Sequence, residues 1–369
     1  MPGALLAGFG PDSSSPPTVG SFAVTVDAAR VASWLGENEE YDSWVRSLDA
    51  VVPTPVEALP GRPGPDAEEF LYSLGFTAED AAETIAACPD PATDPELWWL
   101  LERSRQQLVN GIGHLDQDPE WQHPRLPESP SDSSSPSSSS AKARFFYVHV
   151  LLASFADTMA YHSQLGIDER ISWATFADLG RQVAINRRIH GRGGLHVPGW
   201  FRLHARGLIY DLGRLQFNRA KQGQDFVLGT HIPESGPMAP EECDASFDRA
   251  ARFFPTYFPD ETYRQADCVS WLMDPQLADQ LPADSNIVRF QRRFRLVEGS
   301  LREADRDIVE FVFRRDWDEL IAREGLGVLP TDTRLQHAIV RHLRAGGHWR
   351  VGRGIRDFPA ASGHSDEHR

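Results

Sequence analysis

The chain has 369 residues, a hydrophobic fraction of 41% and a formal net charge of −16. A chain of this length can bury a substantial core and commonly forms more than one domain. The acidity is confined to the first 140 residues, which hold 6 arginines, no lysine and 23 acidic residues. The remainder is nearly balanced and shows no single basic face of the kind that binds nucleic acid, so no nucleic-acid partner is expected.

The apolar segments and the cysteines indicate a cytoplasmic protein. No stretch approaches the length that spans a bilayer, and the N-terminus lacks the charged start and long apolar run of a signal peptide. Cys88, Cys243 and Cys268 have no CxxC spacing, which is typical of buried structural thiols in a reducing compartment. The histidines form no HxxxH or paired Cys/His pattern, so no metal site is expected. No membrane partner is expected either, because no segment is long enough to span a bilayer.

The first part of the chain is predicted to be helical. Residues 1–19 are rich in Pro, Ser and Gly and are expected to be disordered. Apolar residues then recur at helical spacing in the segments 22–35, 66–88, 94–112, 145–163 and 173–190. The Ser- and Pro-rich stretch 124–142 is expected to be a disordered insertion. We assign residues 20–170 to a helical N-terminal domain, 171–358 to a second domain, and 359–369 to a disordered tail.

The second part changes to strand periodicity. Residues 200–212 fit both patterns, with helix favoured, and 215–217 alternate as a strand that turns at 222–224 into the apolar run 226–232. The later predicted elements are a helix from Pro240, a buried run at 268–273, a short helix at 276–281, paired strands at 286–296 and 308–313, a helix at 333–343 and an edge strand at 349–351. The predicted fold class is therefore α/β (α+β), a helical domain followed by a mixed sheet in the order ββαβαββ.

The segment 226–274 is the centre of this prediction. An apolar run, a loop at 233–238, a helix and a second apolar run form a βαβ unit, in which two parallel strands are joined by a crossover helix. Ligands of such units bind beyond the carboxyl ends of the strands. The sequence therefore predicts an active site where residues 233–238 and 274–276 meet.

Three titratable residues lie at this predicted edge. His231 ends the first strand, Glu234 lies in the loop that follows, and Asp274 follows the second strand. Each also has a structural interpretation: a hydrogen-bonded histidine at a strand end, a solvated loop glutamate, and a cap for the helix 276–281. Cys268 and Ser270 share one face of the second strand, and core packing is the interpretation that we favour for Cys268.

Four strings carry a resemblance to a known family: LGRLQF at 212–217, HIP at 231–233 with GP at 236–237, SWLMDPQL at 270–277, and DSNIVRF at 284–290. Together with the order of elements, they resemble a bacterial family of acyltransferases that joins a helical N-terminal acyltransferase domain to a GNAT-like C-terminal domain. The resemblance implies a GNAT-like N-acyltransferase that moves an acyl group from acyl-CoA directly to an amine, on a small molecule or a peptide. Acyl-CoA would be a co-substrate, and no permanently bound cofactor is implied.

A GNAT-like site needs three things, and the resemblance assigns residues to each. The pyrophosphate of CoA needs N–H groups at a helix N-terminus, the pantetheine arm needs two parallel strands that part, and the amine needs a base. The implied catalytic residues are His231, Glu234 and Asp274. The implied donor-binding residues are Ile232, Pro233, Ser235, Gly236, Pro237, Met238, Ser270, Trp271 and Asn286.

The phosphate loop departs from the usual GNAT pattern, Gln/Arg-x-x-Gly-x-Gly/Ala. Residues 234–238 have one glycine and a proline without an N–H, and Glu241 and Glu242 follow inside the helix, where they offset the helix dipole. The segment 188–193 has the motif's letters but follows a helix, which is the wrong context. Two alternatives therefore stay open: a catalytically inactive GNAT-like binding module, and an acyltransferase that takes its donor from an acyl carrier protein.

Overall fold

A computed structural model describes residues 26–56, 59–115, 121–128 and 138–358. The predicted disordered segments 1–19 and 359–369 lie outside these residues, as does much of the insertion, 129–137. The helices of the first half are α1 Ala28–Leu35, α2 Glu39–Asp49, α3 Ala67–Ser73, α4 Ala78–Ala86, α5 Pro95–Asn110, α6 Ser138–Gln164, α7 Glu169–Phe176, α8 Asp178–His190 and α9 Arg202–Ala205. A short 3-10 turn, Pro198–Phe201, precedes α9.

The second half contains the strands and six further helices. The strands are β1 Ile209–Asp211, β2 Gln216–Gln222, β3 Asp225–His231, β4 Tyr263–Ser270, β5 Arg295–Leu296, β6 Arg302–Glu303 and β7 Arg350–Asp357. The helices are α10 Pro240–Tyr257, α11 Gln276–Gln280, α12 Asn286–Gln291, α13 Asp305–Phe313, α14 Trp317–Arg323 and α15 Arg334–Arg344. Two 3-10 turns, Trp271–Met273 and Leu326–Val328, complete the regular structure of the described residues.

The helical half packs around α6. This helix has apolar residues on nearly all sides, and Phe145, Phe146, Val148 and Val150 are fully buried in one core with residues of α1, α2 and α5. Polar caps fix several helix starts, since Asp27 and Thr77 accept hydrogen bonds from the peptide nitrogens of Arg30 and Asp80. None of the described helices is long and apolar enough to cross a membrane.

The sheet runs in the order β1-β2-β3-β4-β7-β5, with β6 also paired to β7. Every pairing is antiparallel except that of β3 with β4, which are joined by α10. The predicted hairpin between β2 and β3, the βαβ unit and the helices α10, α11 and α15 are confirmed. The core of this half lies between the sheet and α10, where Phe217, Leu228, Phe254 and Ala266 are buried.

The strand predicted at 286–296 is wrong. Ser285 caps a helix there by accepting a hydrogen bond from the Val288 nitrogen, and α12 follows. Val288 packs into the core formed by the C-terminal helices, whereas Phe290 packs against the sheet core. A short helix wedged between two cores buries residues on two sides, which in the sequence looks like the alternation of a strand.

Two further predictions in this region are wrong. Residues 308–313 form the end of α13, where Ile308, Val309 and Phe313 are buried at helical spacing after the acidic first turn. The edge strand predicted at 349–351 is the start of β7, which extends to Asp357 and lies inside the sheet. Gly352 and Gly354 interrupt its apolar pattern because Met273, Leu296 and Phe294 cross over them.

Two predicted helices are shorter than expected. The segment 200–212 is helical only as far as Ala205 and then continues as β1. The segment 173–190 holds two helices, α7 and α8, which are separated at Ala177. Gly180 of α8 lies so close to the backbone of Gly75 that a Cβ atom would fall 2.2 Å from its carbonyl carbon. This contact seats α8 against the end of α3, and it is a tertiary feature that periodicity does not report.

Candidate active site

The two parallel strands part at their carboxyl ends. Pairing between β3 and β4 runs from Phe226 opposite Tyr263 to Gly229 opposite Asp267, and no later pair joins them. Strand β3 continues to His231, and β4 continues to Ser270 while paired only with β7. A gap therefore opens beside the last residues of β3. The unpaired backbone groups along its sides are the hydrogen-bonding groups that a strand would otherwise satisfy.

The loop between β3 and α10 borders this gap. Ile232 and Met238 pack against the sheet core and Pro233 is buried, whereas Ser235, Gly236 and Pro237 are exposed. The Ser235 nitrogen donates to the Pro233 carbonyl at 2.9 Å, which closes a tight turn. Gly236 has φ of +134°, a region that favours glycine. The guanidinium of Arg214 lies beneath the loop and donates to its carbonyl groups.

His231 lies at the end of β3 with its ring on the face that meets the helical half. Its Nε2 is 2.6 Å from Asn218 Oδ1, so that nitrogen carries the hydrogen and Nδ1 is the acceptor. Burial lowers the pKa of His231 to about 3, nearby His204 acts in the same direction, and Asp178 opposes them. The imidazole is therefore neutral at physiological pH, with one nitrogen able to take a proton.

A second group of side chains from the helical half covers His231. The indole of Trp200 packs edge-on against the imidazole, with 4.5 Å between ring centroids. Trp200 Nε1 donates to Asp178 Oδ2 at 3.4 Å, and His204 Nε2 lies 3.6 Å from the same oxygen. Burial acts to raise the pKa of Asp178, but His204 and Arg181 hold it below its usual value. This arrangement fixes the indole that covers the imidazole.

Glu234 is ion-paired across the two halves of the molecule. Its Oε2 accepts from Arg188 of α8 at 2.8 Å and from Arg314, the residue that ends α13. Glu234 therefore joins the loop at 233–238 to one helix from each half.

Asp274 is fully buried and bound to backbone groups. Its Oδ1 accepts from the Gln276 nitrogen at 3.0 Å, and its Oδ2 accepts from the Arg350 nitrogen at 2.8 Å. Gln276 Nε2 donates to the same Oδ2. These contacts fix the turn that leads into α11 and anchor the first residue of β7.

The remaining predicted donor-binding residues lie in two separate parts of the structure. Ser270 ends β4 beside the gap, where its Oγ accepts from the Leu272 nitrogen, and Trp271 packs between two cores. Asn286 is exposed at the start of α12 and lines a separate depression with Thr333 and Arg334. Residues 231–238 do not line that depression.

A cavity of about 400 Å³ lies between the helical half and α14, and no sequence pattern predicted it. Its lining includes Arg144, Tyr147, His190, His196, Asp316 and Glu319. His196 Nε2 is 3.0 Å from Glu310 Oε1, and burial together with His196 lowers the pKa of His190. The cavity is linked to the site because Pro198 lines it and begins the turn that carries Trp200.

Asn218 and Trp200 were also missed by sequence reasoning. Asn218 lies in a strand where a polar residue is ordinary, and only the antiparallel register beside Gly229 places it against His231. Among the described residues, one group of metal-ligating type occurs: Glu303, Asp305 and His348. The oxygens of Asp305 are already engaged, by the Trp349 nitrogen and by His348 Nδ1, at 2.7 Å each.

Comparisons with known proteins agree with this geometry. Residues 65–207 match the model of the N-acyltransferase N-terminal domain, and 209–356 match that of the GNAT-like C-terminal domain. Among solved structures, the chain is similar to an acyltransferase in complex with decanoyl-CoA, at 38% identity and a TM-score of 0.81. It is also similar to an acyltransferase with decanoyl-CoA and teicoplanin, at 36% and 0.80, and to an acyltransferase mutant with octanoyl-CoA, at 36% and 0.81.

Each of these alignments covers 90% of this chain and 100% of the solved chain. A search of curated proteins finds no match. The similarity extends through both halves of the molecule. The chain therefore belongs to the family of N-acyltransferases that joins an N-acyltransferase N-terminal domain to a GNAT-like C-terminal domain, and it is an acyltransferase.

Proposed function

We propose that the protein moves an acyl group from acyl-CoA directly to an amine, in the gap between β3 and β4, with His231 as the base. The observation that carries this proposal is the loss of strand pairing after Gly229, immediately beside His231. The solved relatives that contain octanoyl-CoA and decanoyl-CoA support a donor with a medium-length acyl chain. We place this activity in the bacterial cytoplasm, which is compatible with the free thiols of Cys88, Cys243 and Cys268.

The donor is proposed to lie along the gap and end at the loop 233–238. The amide groups of pantetheine can bond the backbone groups that β3 and β4 leave unpaired. The pyrophosphate would then reach the loop and the N-terminus of α10, the end of a helix that favours an anion. Ser270 and Trp271 lie at the end of β4, on the opposite side of the gap from the loop.

The chemistry requires that the amine lose one proton and the leaving sulfur gain one. The amine nitrogen attacks the thioester carbonyl, and the C–S bond breaks as the tetrahedral intermediate collapses. His231 Nδ1 takes the proton from the nitrogen, which is acidic once it has added to the carbonyl, and returns it to the CoA thiolate. The low pKa keeps the His231 imidazole neutral and therefore able to accept the proton, although it is a weaker base than an ordinary histidine, whose pKa lies nearer the operating pH.

The acceptor is proposed to enter from the side of the helical half. The cavity lined by Arg144, Tyr147, His190 and His196 is also lined by the carboxylates of Glu128, Asp316 and Glu319, so it offers polar groups and charges of both signs to an amine-bearing acceptor. A solved relative holds teicoplanin together with decanoyl-CoA, which supports an amine-bearing glycopeptide as one class of acceptor. In this arrangement Glu234 and Asp274 hold the loop and β7 in place while His231 does the proton transfer.

The test uses the full chain, decanoyl-CoA and an amine-bearing glycopeptide of the teicoplanin type. Thiol release and the mass of the product report transfer, and calorimetry reports donor binding. His231→Asn is expected to lower kcat by a factor on the order of 100 or more while the Kd for decanoyl-CoA changes less than about twofold. Equal rates in the variant and the wild type would remove His231 as the base.

The alternatives give different results in the same assay. An inactive binding module would show no thiol release with decanoyl-CoA and any amine. The carrier-protein alternative is favoured by Pro237, which offers no N–H to a phosphate. It predicts thiol release from a decanoyl carrier protein and none from decanoyl-CoA.

A further inference from the structure

We propose that Arg214 is a positioning residue for the CoA phosphates, although it does not contact them itself. It does so in two ways: it turns peptide N–H groups of the loop 233–238 outward, and it places an unpaired positive charge beneath them. This inference rests on the proposed use of acyl-CoA. It explains how a loop with one glycine and two prolines, which lack an N–H, can still hold a pyrophosphate.

The side chain of Arg214 is almost entirely engaged with the loop. The residue is 9% exposed. Its Nη1 donates to the Pro233 carbonyl at 3.0 Å, its Nη2 to the Gly236 carbonyl at 2.9 Å, and its Nε to the Pro237 carbonyl at 2.9 Å. Three carbonyl groups of one short loop therefore converge on a single guanidinium.

The inward carbonyls determine where the N–H groups point. In a trans peptide the C=O and N–H of the same unit point in opposite directions, and the chain contains no cis peptide among its described residues. Because the Pro233 and Pro237 carbonyls face Arg214, the N–H groups of Glu234 and Met238 face away from it. Within the described part of the chain, neither of these two nitrogens donates to another protein group.

The charge of Arg214 is not neutralised by a carboxylate in contact with it. All three hydrogen bonds from its nitrogens go to carbonyl oxygens. Burial lowers the pKa of Arg214, while Glu242 and Asp211 act to raise it. A guanidinium nevertheless stays protonated in proteins. A buried cation without an anionic contact is costly, and an anion seated on the loop above it would relieve that cost.

The positive charge of Arg214 also opposes the negative charge of the two glutamates at the start of α10. Glu241 and Glu242 offset the dipole that normally attracts phosphate to a helix N-terminus. A fixed cation beneath the loop restores a positive potential at the same place. The phosphate site of this protein would then depend on a buried side chain where other GNAT enzymes depend on glycine N–H groups.

The test separates phosphate binding from binding of the rest of the donor. Calorimetry measures the Kd of decanoyl-CoA and of decanoyl-pantetheine, which lacks the phosphates, for the wild type, Arg214→Gln and Arg214→Lys. Arg214→Gln is expected to raise the Kd of decanoyl-CoA about tenfold or more and the Kd of decanoyl-pantetheine less than about twofold. Arg214→Lys keeps the charge and loses the three-way geometry, so it should recover part of the loss and keep the salt dependence of the wild type.

Arg249→Gln is the matched control, because Arg249 also donates to a backbone carbonyl, that of Leu212, outside the loop. It should leave both Kd values unchanged. Equal weakening of both donors in Arg214→Gln, or no weakening of decanoyl-CoA in a variant that melts as the wild type does, overturns the proposal. If the glutamine variant does not fold, a lysine variant that binds decanoyl-CoA with a flat salt dependence overturns it too. Failure of the proposed function looks different, since the wild type itself would then bind neither donor.

Discussion

Burial keeps histidines of this protein uncharged at positions far from the site as well as within it. His149 is fully buried in α6, with Nε2 3.1 Å from the Thr84 carbonyl, and burial lowers its pKa to about 4. Burial also lowers the pKa of His162 to about 4, where Nδ1 is 2.8 Å from Ser172 Oγ. Such residues bind a proton more readily in the unfolded chain than in the folded one.

The consequence for His149 is a loss of stability in acid. The pKa of His149 in the folded protein, about 4, lies below its value in the unfolded chain. The stability that depends on a neutral His149 is therefore fully present above about pH 6.5 and is lost as the pH falls towards 4. At pH 5 the loss is about 2 kcal/mol of unfolding free energy. We expect denaturant titrations at pH 7.5 and pH 5 to show a smaller difference for His149→Gln than for the wild type.

Exposed His337 provides the control for this comparison. His337→Gln should keep the wild-type difference in unfolding free energy between the two pH values. A His149→Gln variant that loses as much stability in acid as the wild type would show that His149 does not contribute to the pH dependence.

At the level of elements, the pairing of β2 with β3 orients His231, the proposed base. Asn218 lies opposite Gly229, and Gln216, two residues earlier in β2, lies opposite His231, two residues later in β3. A Cβ atom on Gly229 would fall 2.0 Å from Asn218 Oδ1. The absence of a side chain at 229 therefore lets Asn218 lie across β3 and hold the His231 ring.

Gly229→Ala should displace Asn218 and release the imidazole. We expect a fall in kcat of about tenfold or more with the Kd for decanoyl-CoA little changed, because orientation of the base is lost and the donor gap is not. Asn218→Ala should give a similar loss, and the double variant should be no slower than either single one. Additive losses would show that the two residues act on separate steps.

The elements that the sequence predicted correctly are those whose core lies on one side. The run that became β3 and the stripe of Cys243, Phe247 and Phe254 in α10 each face one core, so their periodicity is clear. The helix α12 faces two cores, and its cap at Ser285 was the signal that could have corrected the strand prediction. His231 could be predicted as a candidate site residue because it ends a strand. The residues that surround its ring come from distant parts of the chain, so the sequence pattern does not indicate them.

At the level of the whole molecule, buried and half-buried polar contacts join the two halves. Arg219 of β2 is ion-paired with Glu261 and donates to the Tyr161 hydroxyl of α6. The Asp211 nitrogen of β1 donates to Thr175 Oγ1 of α7 at 2.8 Å. Glu234 adds its two arginine partners beside the loop 233–238, so the sheet and the helices that cover His231 are connected at several points.

Glu234→Gln tests whether this carboxylate is structural or is the base. The change leaves Arg188 and Arg314 without their carboxylate and raises the positive charge beside the loop. We therefore expect decanoyl-CoA to bind several-fold more tightly, about threefold to tenfold, with a weaker effect at high salt. The melting temperature should fall only slightly, because exposed ion pairs contribute little.

Asp318→Asn is the control, since it removes one carboxylate from an exposed pair with Arg306. It should leave the Kd for decanoyl-CoA unchanged. A loss of kcat of about 100-fold in Glu234→Gln, with donor binding intact, would assign proton transfer to Glu234 and not to His231.

The position of β7 has a consequence for how the chain folds as it is made. It is the last of the described elements to be synthesised, yet it lies between β4 and β5, and Asp274 fixes its first residue. Until residue 357 has emerged from the ribosome, one side of β4 remains an open edge that neighbouring nascent chains can pair with. A product released early by the ribosome would therefore lack an interior strand, and it would be a natural substrate for chaperones and proteases.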